Sequence, residues 1–404
     1  MKTPTKLAVL FAVIYFVQGI AEPGGGIIAL PLQFLLKENM GLDATQASYF
    51  LASFTWAWTI KPLYGFVSDS LPLFGYRRKS YLVLMNVMVA LSFLTLAFAV
   101  SYSYSTLLLI LSAVSLGLAF SDVLCDGLMV ETGKTLNLTG KFQSIQWISI
   151  SIASVIAGIG GGYMAQSVSP QHSFLFITFF PLLTIATAML FAREEKKKVS
   201  LEHLKNIFGS AKQGFWSRPL WLAAIFIFCW NFSPSFGTPM LYFMTDELHF
   251  SKMFIGTLGS IGSVGSIIGA AVFLKIGKKY GLKQLLNITV LLGVISTIWY
   301  LWLVGEKTAI AFSILGGIVS MVTLLAILDL AARSCPKMAE GTFFALLMSV
   351  YNGGAMVSKV LGGFLLQYTG LQTLIIISAV FTAFCWLLVP FIKTNDEQQE
   401  TTNQ

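Results

Sequence analysis

Six ionisable residues lie inside long apolar stretches of this sequence. They are Glu22, Lys61, Asp122, Asp126, Asp329 and Lys359. A charge at the centre of a membrane helix costs at least about 2.5–3.5 kcal/mol on insertion scales, so each one needs a reason to be there. Asp122 and Asp126 are four residues apart and share one helix face, where two ionised carboxylates repel each other. We therefore expect these two acids to load and release protons. Glu22 is a further candidate for this role or for ligand binding.

The two lysines among these residues have more than one interpretation. Lys61 and Lys359 can each neutralise one of the two paired acids, or they can hold an anionic ligand. Lys61 can instead extend its amine towards the membrane surface. Lys359 lies among glycine, serine and aliphatic residues. We include both lysines, with Glu22, in the predicted ligand-binding set.

Aromatic and amide side chains complete this predicted binding set. Three of them follow i, i+3, i+4 spacing, so they share one face of a helix. Aromatic planes beside amide donors suit a flat heteroaromatic ligand. The residues are Gln143, Gln146, Trp147, Trp230, Asn231, Tyr351 and Asn352.

The sequence contains no pattern for metal, cofactor or enzyme chemistry. Its four cysteines are scattered without a CxxC pair, and its three histidines fall in predicted connections between helices. There is no nucleophile–base arrangement and no Walker-type phosphate loop. We therefore expect no metal, no cofactor, no enzymatic activity and no transport driven directly by ATP.

The composition indicates the class of protein that positions these residues. Of 404 residues, 56% are hydrophobic and 11% are charged, whereas a soluble domain has about 25% charged residues. Apolar runs of about 20 residues match the length of a helix that crosses a bilayer. We predict an all-α, multi-pass integral membrane protein with twelve transmembrane helices. Their approximate bounds are 7–36, 45–70, 80–100, 104–131, 141–166, 172–192, 218–245, 252–276, 283–303, 308–333, 340–367 and 370–392.

Lysine and arginine residues predict the orientation of these helices, because they collect on the cytoplasmic side of membrane proteins. With both termini inside, 21 of the 26 lie in cytoplasmic segments, three in outer connections and two within helices. The net charge of +8 therefore reflects membrane topology, and we expect no nucleic-acid partner. We predict a monomer in the lipid bilayer of a bacterial cytoplasmic membrane, with both termini cytoplasmic.

The longest charged connection divides the chain into two halves of six predicted helices. We predict an N-terminal six-helix bundle over 1–193, a cytoplasmic loop over 194–217, a C-terminal six-helix bundle over 218–393 and a polar tail over 394–404. This is the arrangement of the major facilitator fold, in which two bundles rock about a site near the bilayer midplane. Glycine and proline interrupt the first helix of each half, at 22–26 and 233–239. Matched breaks of this kind point to a binding site.

A second group of charges is predicted at the cytoplasmic ends of the helices. An aspartate and two arginines lie in the connection between helices two and three, and a glutamate near the end of helix four is their expected partner. An Asp–Arg pair on helix ten, four residues apart, forms either a local ion pair or part of the same group. We predict a charge latch that holds one conformational state. Its members are Asp69, Arg77, Arg78, Glu131, Asp329 and Arg333.

The segment 61–79, KPLYGFVSDSLPLFGYRRK, closely resembles the signature of the folate–biopterin transporter family. Similar blocks occur at 15–19 (YFVQG), at 121–127 (SDVLCDG) with Glu131, and at 340–349 (EGTFFALLMS). The resemblance implies uptake of a folate or pterin, driven by a proton gradient. A folate carries a pteridine ring, a second aromatic ring and two carboxylates. Buried lysines and helix dipoles would complement the carboxylates, and tryptophan and glutamine side chains would hold the pterin.

Two other functions stay open at this point. A relative with the same fold can import cell-wall muropeptides or another organic anion. A non-transporting membrane receptor belongs to a different class. The buried charges and the paired helix breaks argue against a receptor, because a scaffold has no reason to keep them.

Overall fold

The computed structural model describes residues 3–192, 194, 196, 215–336 and 340–392. These residues form helices joined by short connections, with an isolated β-bridge between Leu73 and Tyr76. Helices suit a bilayer because each one satisfies its own backbone hydrogen bonds. Most of the predicted central loop (194–217) and all of the predicted tail (394–404) lie outside the described residues.

The first half of the described chain contains helices of very different length, from six to 33 residues. The helices are α1 (Thr3–Ala21), α2 (Ala29–Phe34), α3 (Ala44–Ser53), α4 (Lys61–Ser70), α5 (Lys79–Ala97), α6 (Tyr104–Leu136), α7 (Thr139–Ser167), α8 (Pro170–Ile177) and α9 (Phe179–Phe191). A π-helical turn over Leu35–Asn39 extends α2, and a 3-10 helix over Phe54–Ile60 joins α3 to α4.

The second half contains longer helices. They are α10 (Arg218–Phe232), α11 (Gly237–Asp246), α12 (Lys252–Lys279), α13 (Leu282–Ile298), α14 (Glu306–Ser334) and α15 (Glu340–Phe384). Short 3-10 helices follow α13 over Trp299–Trp302 and follow α15 over Cys385–Leu387 and Val389–Phe391.

Both predicted breaks are present in the structure. The first helix stops at Ala21 and resumes at Ala29, and the second break separates Phe232 from Gly237. In the first break the amide of Gly26 donates to the carbonyl oxygen of Glu22 at 2.7 Å. A Cβ atom on Gly26 would lie 2.2 Å from a backbone oxygen, so only glycine fits this turn.

The segment predicted as a helix over 45–70 is helical in the structure, but it is not α-helical throughout. The chain instead runs from α3 through a 3-10 helix into α4. Pro62, at the second position of α4, explains the change. Its ring removes a backbone donor and clashes with the carbonyl of the residue four positions earlier, so a regular α-helix cannot continue through it. The irregular turn places Lys61 at the first position of α4.

Within the described residues, ten helical stretches are long and apolar enough to cross a membrane. The stretch Gly341–Phe391 spans 51 residues, which as one straight helix would be about 75 Å long, far more than the roughly 30 Å of hydrocarbon. Its direction changes at Gly370, where φ is 72°. The segment containing α3 and α4 is not among the ten. The protein is therefore an all-α multi-pass membrane protein, while the number twelve stays a prediction.

The chain divides into two compact units. Unit 1 comprises Met1–Asp43, Ser53–Ser200 and Ser251–Ser260, and unit 2 comprises Ala44–Ala52, Leu201–Phe250 and Ile261–Gln404. Each unit has its own apolar core. The core of unit 1 includes Phe11, Tyr15, Phe120, Leu124 and Phe142. The core of unit 2 includes Phe226, Leu286, Leu330, Phe343 and Leu347.

Candidate functional site

A lysine and an aspartate form a buried ion pair inside unit 1. Lys61, at the start of α4, has its Nζ atom 2.5 Å from Oδ2 of Asp122 on α6. Their side chains are only 14% and 6% exposed. The lysine Nζ also lies 4.9 Å from the ring centroid of Trp58, in the 3-10 helix before α4. The amine is thus held by a carboxylate and an aromatic face.

The second acid of the pair has neutral partners. The hydroxyl of Tyr15 on α1 donates to Oδ1 of Asp126. The Nε2 atom of Gln146 on α7 donates to the same oxygen at 3.3 Å. Tyr15 has no exposed surface. The two acids share one face of α6, but Asp122 faces a cation whereas Asp126 faces two neutral donors.

A second charge cluster surrounds the start of α5. Nη2 of Arg78 lies 2.8 Å from Oε1 of Glu131 and 3.5 Å from Oδ1 of Asp69. Arg77 reaches the same two carboxylates at 3.5 and 3.7 Å. Arg78 is 7% exposed and fits against Gly127 of α6, where a Cβ atom would lie 1.7 Å from Nη1. Four of the six predicted latch residues therefore meet in one cluster.

A further acid, which was not predicted from the sequence, completes this cluster. The carboxylate of Glu194, which follows α9, accepts hydrogen bonds from the backbone N–H groups of Arg77, Arg78 and Lys79 at 3.0, 3.0 and 3.1 Å. These groups open α5, where the helix dipole favours a negative charge. Glu194 also lies 3.9 Å from Nε of Arg77. The neighbouring charges in the sequence gave no signal that singled it out.

The other predicted latch residues lie in unit 2. Arg333 donates from Nε to Oδ1 of Asp329 at 2.9 Å, within α14. This geometry matches the interpretation of a local ion pair between residues four apart.

The remaining predicted binding residues of unit 1 lie in the first helix break and on α7. Glu22 lies in the break after α1, with its carboxylate beside Gly24, where a Cβ atom would come within 3.1 Å of Oε2. Gln143 is exposed and Trp147 is half-buried, both on α7. Two other predicted binding residues of unit 1, Lys61 and Gln146, belong to the network around the two acids.

The predicted binding residues of unit 2 lie on α10 and α15. The ring of Trp230 covers Gly293, where a Cβ atom would lie 2.5 Å from Cη2. Asn231 donates to the carbonyl oxygen of Ile227 at 2.9 Å. The other three are half-buried residues on α15, namely Tyr351, Asn352 and Lys359.

Hydroxyl groups tie the second helix break to its neighbours, which the sequence analysis also missed. Ser233 donates to the carbonyl oxygen of Ser378 at 2.8 Å, and Thr382 donates to Ser233 at 3.2 Å. Ser358 donates to the carbonyl oxygen of Ser233, and its own carbonyl accepts from Ser235 at 3.0 Å. The freed backbone groups of the break are thus partly satisfied by side chains, as helices in membranes require.

Proteins of known name resemble this chain along most of its length. A "Folate-biopterin transporter" from Synechocystis sp. is 31% identical over 374 residues, covering 88% of this chain and 74% of the relative. "Folate transporter 2" from Plasmodium falciparum is 26% identical over 416 residues, covering 97% of this chain and 90% of the relative. Relatives of this kind indicate a transporter, not an enzyme.

Solved structures show the same fold. A variant of the nucleoside transporter NupG superposes with a TM-score of 0.73 at 14% identity, covering 96% of this chain and 99% of the other. A POT family transporter in complex with a thioalcohol-conjugated peptide gives 0.76 at 13% identity, covering 96% of both chains. The fold is that of the major facilitator transporters. Since the model of the BT1 family matches residues 18–403, this chain belongs to the BT1 family and is an integral membrane transporter.

Proposed function

We propose that this protein imports folate or a related pterin by proton symport with alternating access. The names of its relatives support the substrate class. The observation that carries the coupling mechanism is the buried network of Lys61, Asp122 and Asp126, in which two carboxylates face one amine. A purely structural ion pair would need only one of these acids.

Charge balance favours Asp126 as the proton carrier. With all three groups ionised, Lys61, Asp122 and Asp126 together carry one negative charge inside the bilayer. A proton on Asp126 brings the sum to zero, and this neutral state costs less to hold away from water. Asp122 already has a cationic partner 2.5 Å away, so it is the less suitable carrier. Release of the proton restores the uncompensated negative charge. The difference in free energy between the neutral and the charged network can drive the change from one conformational state to the other.

The cargo would meet the remaining predicted binding residues. Lys61 and Lys359 are proposed to complement the carboxylates of a folate, and Glu22 to contact cargo or proton beside the helix break. The pterin ring would lie against aromatic and amide side chains. These are Gln143, Gln146, Trp147, Trp230, Asn231, Tyr351 and Asn352.

The charge cluster at the start of α5 is proposed to act as a latch on the cytoplasmic side. Asp69, Arg77, Arg78 and Glu131 would hold one conformational state and separate in another, as interfacial ion pairs do in switching proteins. Asp329 and Arg333 are proposed as the corresponding element of unit 2. The distribution of Lys and Arg along the sequence supports cytoplasmic termini. We propose a monomer in a bacterial cytoplasmic membrane.

Uptake into liposomes tests this function. The purified protein is reconstituted, and accumulation of labelled folate and of free pterins is followed with and without an acidic exterior. We expect accumulation above the external concentration only when the exterior is acidic. Lys359→Ala is expected to weaken uptake of folate more than uptake of uncharged pterin. Flux equal to that of empty liposomes would refute the substrate class, and uptake insensitive to the gradient would refute proton coupling.

A further inference from the structure

The side-chain amide of Gln18, on α1, has an oxygen atom without a hydrogen-bond donor among the described residues. Its Oε1 atom is buried, and no donor from the described part of the chain reaches it. Leaving a buried acceptor unsatisfied is costly, so such a group in a native protein calls for an explanation.

Other amides within the membrane helices have partners inside the protein. Asn86 donates to a serine hydroxyl on α6 at 3.0 Å. Gln146 donates to Asp126, and Gln33 donates to a carbonyl oxygen of its own helix at 3.5 Å. Among the buried side-chain atoms of the described residues that have no hydrogen-bond partner, the Gln18 oxygen is the only carboxamide atom.

Gln18 lies on the same face of α1 as Tyr15, the hydrogen-bond partner of Asp126. Gln18 follows Tyr15 by three residues and precedes Glu22 by four, so the three side chains share one face of α1. Tyr15 donates to Asp126, and Glu22 begins the helix break. Three residues correspond to about 4.5 Å along a helix axis. A molecule bound to this face at Gln18 would thus lie one helical turn from Tyr15, whose hydroxyl contacts the carboxylate that is proposed to carry the proton.

We propose that Gln18 determines substrate specificity, with its amide oxygen accepting a hydrogen bond from the exocyclic amino group of a pterin ring. This inference rests on the proposed function and names the contact that selects the cargo. A site built to bond a substrate N–H group rejects an analogue without that group, because its own polar atom is then left unpaired. Lumazine is such an analogue, since an oxygen replaces the 2-amino group of pterin.

The test compares pterin with lumazine in reconstituted liposomes at a fixed pH gradient. The wild-type protein is expected to have a lower KM for pterin than for lumazine. Gln18→Met keeps the length and flexibility of the side chain but removes the acceptor. It should raise the KM for pterin roughly 3- to 10-fold, the range of one neutral hydrogen bond. The KM for lumazine should change little. Gln33→Met is the matched control and should keep the wild-type preference.

The outcomes separate this inference from the proposed function. The role of Gln18 is overturned if Gln18→Met keeps the wild-type preference for pterin, or if its KM rises equally for pterin and for lumazine. Gln18→Glu retains acceptor oxygens and should preserve the preference for pterin, which gives a second measurement if the methionine variant does not reach the membrane. Loss of the preference in Gln18→Glu would also overturn the role. A wild-type protein that transports neither compound nor folate would instead refute the proposed function itself.

Discussion

Replacing Gly127 by alanine is expected to displace the buried guanidinium of Arg78. The new Cβ atom would lie 1.7 Å from Nη1 and 2.5 Å from Cζ of Arg78. Cβ contacts shorter than 3.0 Å essentially never occur, so Nη1 must retreat by at least the difference, 1.3 Å. Because Nη2 lies 2.8 Å from Glu131, a shift of this size separates the pair.

The magnitude follows from the burial of the two partners. Breaking a buried ion pair costs about 3–5 kcal/mol, and Arg78 is 7% exposed. The side chain of Glu131 is 47% exposed, so solvent screens it and the lower end of the range applies. Alanine gains about 1 kcal/mol of helix propensity over glycine. The lost pair outweighs this gain, and we expect a net destabilisation of about 2 kcal/mol.

The assay is thermal unfolding of the purified protein, with Gly65→Ala as the matched control. A Cβ atom on Gly65, inside α4, would lie 3.6 Å from Val123, an ordinary contact, so this variant should keep the helix-propensity gain of about 1 kcal/mol and be no less stable than the wild type. If Gly127→Ala acts through Arg78, it should cost little in an Arg78→Ala background. The reasoning is refuted if Gly127→Ala unfolds at the same temperature as Gly65→Ala.

Three further substitutions test other contacts. Tyr15→Phe removes the hydroxyl that donates to Asp126 and should lower gradient-driven uptake roughly 10-fold, the range of one hydrogen bond to a charged group. Tyr64→Phe is the control, because the hydroxyl it removes bonds a backbone carbonyl, and it should leave uptake unchanged. Glu194→Gln removes the negative charge at the start of α5 and should lower the free energy of unfolding by roughly 1–2 kcal/mol, measured by thermal unfolding. An unchanged stability would contradict the role of Glu194. Gly26→Ala should prevent accumulation of folded protein, measured by size-exclusion chromatography, whereas Gly25→Ala should be tolerated because its Cβ atom would meet only a flexible side chain at 3.4 Å.

Local spacing in the sequence was enough to predict the all-α membrane fold and the shared helix face of the two acids. Asp122 and Asp126 share a helix face because they are four residues apart, and apolar length identified the membrane class. The two helix breaks were predicted from glycine and proline, whose backbone effects are local. Pro62 has the same local effect inside the predicted second helix, and the 3-10 segment that precedes it was not predicted.

Contacts between distant segments could not be predicted from spacing. Tyr15 and Asp126 are 111 residues apart, and nothing in periodicity indicates that α1 turns this hydroxyl towards α6. The block at 15–19 that resembles the transporter family was the only available signal for Tyr15. Glu194 lies in a run of mixed charges typical of a solvated loop. Its role at the start of α5 depends on how the end of α9 packs, which is a tertiary property.

Proton coupling through Asp126 is tested most directly with Asp126→Asn, by measuring both the exchange of pterin and its gradient-driven accumulation. Asparagine keeps the shape of the side chain but cannot take up a proton. We predict that the variant exchanges labelled for unlabelled pterin across liposomes at a rate near that of the wild type, but does not concentrate pterin when the exterior is acidic. Gradient-driven accumulation by Asp126→Asn equal to that of the wild type would contradict the account.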